Sequence, residues 1–201
     1  MYVFFDLLNT FALKGGAVML FSYRNCIAKF GTDYKIKNEI QNKKLFIIEK
    51  GIYSDTPYVP ELDVIAMKYP KAIITLNSAF YYYGLTDTIP DFYYVATSKG
   101  SRKITDKRIK QIFDNTNEFD LGKTSIQYDG ISIPIYNRER LLIELIRNKR
   151  KFAFDLYKEL ILSYREIIHT LDMEMISEYA YSLPKTNMVM KSLTLEVLLS
   201  T

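Results

Sequence analysis

Between Phe21 and Asp55 the chain carries a run of local signals that leaves little freedom in how it folds. Ser22 is a good N-cap for a helix running to Phe30, Gly31 is the residue type that most readily closes such a helix, and Thr32 or Asp33 can cap the next one. The turn between the two helices is then about three residues long, as a helix-turn-helix demands. On a second helix over 33–43, a rotation of roughly 100° per residue puts Ile36, Ile40 and the stem of Lys43 on one side. The other side presents Tyr34, Lys35, Asn38, Gln41 and Asn42. Residues 45–48 and 52–54 read as strands joined by the turn Glu49-Lys50-Gly51. Helix, turn, helix and hairpin in this order suit the placing of one helix in a major groove, with the hairpin as a wing and Lys50 at its tip.

Charge follows the same segment. Residues 1–55 hold eight cations against five anions, whereas the other 146 residues are nearly balanced, with nineteen against eighteen. Most of the net charge of +4 therefore sits where phosphate contacts would use it. Tyr34, Lys35, Asn38 and Gln41 are the candidates for reading the groove: Asn and Gln pair bidentately with adenine, and Lys can reach guanine or the backbone. Arg24, Lys29, Lys37, Lys44 and Lys50 are the candidates for positioning on phosphate.

The chain has 201 residues, enough for two small domains, and at 48% hydrophobic and 25% charged it reads as an ordinary soluble protein. No apolar run approaches the roughly 18 residues of a membrane span. The stretch 1–14 has Phe4, Leu7, Leu8 and Phe11 on one stripe and is stopped by Gly15-Gly16. It carries Asp6 and lacks the basic start of a signal peptide, so it reads as a first helix in a cytoplasmic protein. A lone cysteine, Cys26, excludes an internal disulfide, and with a lone histidine, His169, it leaves too few soft ligands for zinc. Neither a cofactor nor a metal is expected, and both residues read as structural.

Thr56 to Pro60 looks like a linker, so the expected domains are 1–57 and 58–201. Beyond the linker, helices are expected over 61–69 and 76–83, with strands over 72–74, 92–97, 102–105 and 109–113. A hairpin of 124–128 and 131–136 turns at Asp129-Gly130, and helices over 137–148, 154–169, 172–182 and after Pro184 up to Leu199 follow. The fold class is α+β: an N-terminal winged helix-turn-helix domain, then a mixed α/β domain ending in a helical bundle.

Several segments together resemble a known family. The run from Lys44 to Tyr53 is similar to the wing of the AbiEi antitoxins of type IV, abortive-infection toxin–antitoxin systems. Ile74-Thr75-Leu76-Asn77-Ser78-Ala79 leading into Tyr83-Gly84-Leu85-Thr86-Asp87 agrees with that family, as does Ile89-Pro90 leading into Tyr93-Tyr94-Val95-Ala96-Thr97. The stretch from Ile133 to Leu142 resembles its Glu-Arg-Thr-Leu segment, with Leu141 where Thr is usual. The resemblance spans nearly the whole chain and implies a phage-defence antitoxin that is not an enzyme. Its N-terminal winged helix would repress its own operon by binding inverted repeats in operator DNA. Its C-terminal domain would counteract a partner nucleotidyltransferase toxin, AbiEii, without necessarily forming a stable complex.

Other patterns compete less well. Gly122-Lys123-Thr124 has the end of a phosphate-binding loop, but Asn117 stands where the opening glycine belongs and a strand follows instead of a helix. Gly100-Ser101 with Glu118 and Asp120 is a weak match to the glycine-serine and paired carboxylates of a magnesium-dependent nucleotidyltransferase. Phe80-Tyr81-Tyr82-Tyr83 points all round a helix and reads as core packing. The densest basic run, Lys99, Arg102, Lys103, Lys107, Arg108 and Lys110, reads either as a strand edge guarded by lysines or as a second basic surface facing operator, toxin or the toxin's nucleic-acid substrate. A protein-interaction module without DNA binding is the alternative from another class.

Overall fold

The computed structural model describes residues 18–128 and 131–199. The helix expected over 1–14 and the Asp129-Gly130 turn lie outside the described residues. The chain divides into two compact units, Met1–Pro70 with Gln127–Ile131 and Lys71–Ile126 with Ser132–Thr201.

In the first unit, β1 (Leu20–Ser22) leads into α1 (Tyr23–Phe30) and α2 (Asp33–Gln41), followed by the hairpin of β2 (Phe46–Glu49) and β3 (Ile52–Ser54). The strands form one antiparallel sheet in the order β1-β3-β2, with Ser22 and Glu49 both facing Ile52. Phe21, Cys26, Ile36 and Leu45 make its core, packed about by Met19, Ile27, Phe30, Ile40 and Tyr53. Burial pushes the Cys26 thiol up to about 11, only partly offset by Lys29, as suits an inert core thiol.

The linker expectation placed a boundary between residues 57 and 58, whereas compactness places it after Pro70. The reason is α3 (Glu61–Lys68), which packs against β1 and whose Lys68 pairs with Glu49 of β2 at 2.8 Å. Glu61 and Asp63 in its first turn and Lys68 in its last suit the helix dipole.

The second unit is built on a mixed five-stranded sheet in the order β6-β5-β4-β8-β7. Its strands are β4 (Ile73–Ile74), β5 (Tyr93–Ser98), β6 (Ile109–Asp114), β7 (Lys123–Tyr128) and β8 (Ile131–Tyr136). The short central β4 is wholly apolar and buried, pairing antiparallel with β5 and parallel with β8. The parallel neighbours β5 and β6 are joined by residues 99–108 without a helix. The strand expected over 102–105 is not formed. There the Gln111 side chain takes the Ile104 N–H at 2.7 Å and donates to the Arg102 carbonyl and the Thr97 hydroxyl, replacing a strand ladder.

Helices cover the rest: α4 (Leu76–Tyr82), α5 (Arg138–Arg147), α6 (Phe154–Ile167), α7 (Met173–Ser182) and α8 (Thr186–Ser192), which continues as a π-helical stretch over Leu193–Leu198. Asn137 and Asp172 cap α5 and α7 through their side chains. Of the four consecutive aromatics on and after α4, Phe80 is fully buried between Phe152 and Tyr164, and Tyr81, Tyr82 and Tyr83 are half-buried. The α+β class is thus observed, and no helix among the described residues is long and apolar enough to cross a membrane.

Candidate nucleic-acid interface

Local chemistry sets the α1–α2 pair. Ser22 Oγ accepts from the Asn25 N–H at 3.1 Å, and Thr32 Oγ1 accepts from the Lys35 N–H at 3.4 Å. Between the helices stand only Gly31 and Thr32. Gly31 sits at φ 88°, where a Cβ would be strained, and its N–H closes α1 on the Ile27 carbonyl at 2.7 Å. A second lock is Tyr23, whose hydroxyl donates to Asp33 Oδ1 at 2.7 Å, joining the first turn of α1 to the first turn of α2.

The expected second helix ends earlier than its periodicity suggests. It stops at Gln41, Asn42 is the C-cap, and Lys43 turns the chain at φ 56°. Lys43 is therefore exposed and takes no part in the inner stripe; Leu45, 1% exposed, fills that place, with its N–H on the Glu39 carbonyl. The hairpin then turns at Lys50-Gly51, with Gly51 at φ 81°, and the Gly51 carbonyl accepts from the Tyr23 N–H at 3.0 Å.

On this scaffold Arg24, Lys29, Tyr34, Lys35, Lys37, Gln41, Lys44 and Lys50 are all exposed, and Asn38 is half-buried. Tyr34 is 72% exposed and Ile47, on the hairpin, 60%. Lys29 is turned back over the Phe21 ring, 4.5 Å from its centroid. For the other cations no ion pair is formed among the described residues, which leaves their charge available to a ligand.

The second basic run is organised differently. Lys99, Arg102, Lys103 and Lys107 are exposed on the 99–108 connection, and Lys110 is on β6. Arg108 is engaged by Asp106 through Nη2 at 2.7 Å and Nε at 3.0 Å. Although β6 is an edge strand, only Lys110 lies on it, so guarding that edge accounts for one of the six cations.

The weaker motifs are not assembled as their chemistry requires. Lys123-Thr124 opens β7 and no helix follows Gly122. Glu118 and Asp120 lie in the loop between β6 and β7, not on a strand, and Asp120 pairs with Lys123 at 3.4 Å.

That loop reveals a residue that chemistry-by-type did not single out. Arg140, on α5, is fully buried and pairs with Asp114 and Glu144, each at 3.0 Å. Its Nη1 donates to the Glu118 and Leu121 carbonyls, and its guanidinium lies 4.9 Å from the Tyr136 ring centroid. The Tyr136 hydroxyl donates to the Phe119 carbonyl at 2.7 Å. Gly122 closes the loop at φ 74°, where a Cβ would come within 2.6 Å of Arg140 Cβ. The signal in the sequence was an arginine beside an unbroken apolar run, with a carboxylate four residues on.

No protein-family model matches the chain, and no curated protein matches it by sequence. In structure it is similar to the RV2827C protein from Mycobacterium tuberculosis, with a TM-score of 0.59 and 14% identity, over 87% of this chain and 71% of that one. At that identity the likeness is one of fold alone, and the chain is accordingly an α+β protein that shares an architecture with this mycobacterial protein.

Proposed function

We propose that the protein is a DNA-binding autorepressor and the antitoxin of a type IV toxin–antitoxin pair. In this reading α1, α2 and the β2–β3 hairpin act as a winged helix-turn-helix, with α2 entering the major groove of an operator carrying inverted repeats. The observation that carries it is the outward side of α2. Tyr34, Lys35, Asn38 and Gln41 stand there with no side-chain partner among the described residues, on helices held by two caps and the Tyr23–Asp33 bond. The caps and the Tyr23–Asp33 bond fix the spacing of these side chains, as groove recognition needs. Counteraction of a nucleotidyltransferase toxin by the second unit rests on the AbiEi-like segments of β4–α4, β5 and β8–α5. Growth rescue when the chain is co-expressed with a nucleotidyltransferase toxin of the AbiEii type tests that part.

Replacing Lys35 and Asn38 together by alanine is expected to weaken operator binding at least about tenfold, since a good base contact alone contributes about 1–3 kcal/mol. Thermal unfolding should be unchanged, because both side chains lack partners among the described residues. Undiminished gel-shift affinity would sink the assignment of α2.

Exposed Tyr34 and Ile47 favour a second reading, in which this surface docks a protein. Salt separates the two. Affinity carried by phosphate contacts falls with a slope of about −0.9 in log–log form per contact, while apolar docking changes little.

A further inference from the structure

We infer that α2 reads A·T base pairs through Tyr34, Asn38 and Gln41, with Lys35 and Lys37 straddling the groove on phosphate; this rests on the reading that α2 enters duplex DNA. Ile36, 3% exposed, and Ile40 fix which side of α2 faces the core. At roughly 100° per residue, Tyr34, Asn38 and Gln41 then fall within an arc of about 60° on the opposite side, Tyr34 and Gln41 exposed and Asn38 half-buried. Lys35 and Lys37 fall outside that arc, one on each flank. An outward arc with a cation on either side matches a groove floor with a phosphate strand along each wall.

The chemistry of the arc is selective. Asn and Gln present one donor and one acceptor side by side, which fits the N6 and N7 of adenine, and an aromatic ring makes apolar contact with the thymine methyl. Guanine is read by arginine or lysine; the segment Asp33–Gln41 contains no arginine, and its two lysines, Lys35 and Lys37, fall outside the arc. Neither amide is taken up by a hydrogen bond among the described residues, so both recognition edges are available. The one acidic group in the first turn, Asp33, has its carboxylate turned to the Tyr23 hydroxyl, so it brings no anion to the arc. Along the axis the three side chains span about 10 Å at 1.5 Å per residue, about three base steps. An RNA duplex does not fit this surface, because its major groove is too narrow and deep for side chains to read.

Selection of the full chain on a random-sequence DNA duplex library, followed by sequencing, tests the inference. The expected result is A·T pairs at neighbouring positions within each selected site, with substitution of any one by G·C weakening binding about tenfold. Gln41→Arg should move one of those positions to guanine. Lys35→Ala and Lys37→Ala should each weaken binding to all sequences alike and reduce the salt slope by about one. Selected sites with G·C at these positions, an unchanged preference in Gln41→Arg, or a single-position change in Lys35→Ala would overturn the inference. Binding without any sequence preference would overturn it too, yet leave the DNA-binding proposal standing. Failure to bind any duplex at low salt would remove both.

Discussion

Lys35 and Lys37 on α2 and Arg140 on α5 are cations on short helices, and the protein treats them in opposite ways. The two lysines stand exposed with no ion pair among the described residues, whereas Arg140 is fully buried between Asp114 and Glu144 and spans two backbone carbonyls besides. A charge taken out of water is costly unless its hydrogen bonds are met, so Arg140 is committed to holding the loop between β6 and β7. A charge left in water contributes little to folding and is free to act on a partner. Cation count alone would rank the two regions together; hydrogen-bond satisfaction separates a structural charge from one available for recognition.

Three substitutions probe that contrast. Arg140→Ala leaves Asp114 and Glu144 facing a hole and is expected to lower stability by about 3–5 kcal/mol, read from denaturant unfolding. A loss below about 1 kcal/mol would mean that the buried network is slack and the contrast false. Gly122→Ala strains φ and presses on Arg140 Cβ, so a loss of about 1–3 kcal/mol is expected by the same measurement. If Gly122→Ala is neutral, the loop closes less tightly on α5 than the distances require. Tyr23→Phe removes one exposed hydrogen bond and should cost about 1 kcal/mol at most. Its larger effect is expected on duplex affinity, through the orientation of α2. A stability loss with affinity untouched would make the Tyr23–Asp33 bond an ordinary surface contact.

What could be read in advance was chiefly what neighbours in sequence decide. Ser22, Gly31 and Thr32 act through residues within four positions, and their caps formed as their types suggest. Lys43 misled because helical periodicity carries no sign of a positive φ, and nothing adjacent announces that Leu45 will take the inner place. Residues 102–105 read as a strand in the sequence, yet the Gln111 side chain, from β6, captures that backbone. The membership of α3 in the first unit and the burial of Arg140 depend on Glu49 and Asp114, both far away in the chain. Of the candidate interface, the residue types and their face were legible. Which of them lie at the centre of that face and which at its flanks follows from where the helix stops and which isoleucines it buries.

The hydrogen bond from the Tyr23 N–H to the Gly51 carbonyl fastens the start of α1 to the hairpin turn. Anything that clamps the Lys50-Gly51 tip will slow deuterium uptake at the Tyr23 amide, a probe lying more than two dozen positions upstream of where the clamp is applied. One peptide group can in this way report whether the hairpin is occupied, without a label placed anywhere near it.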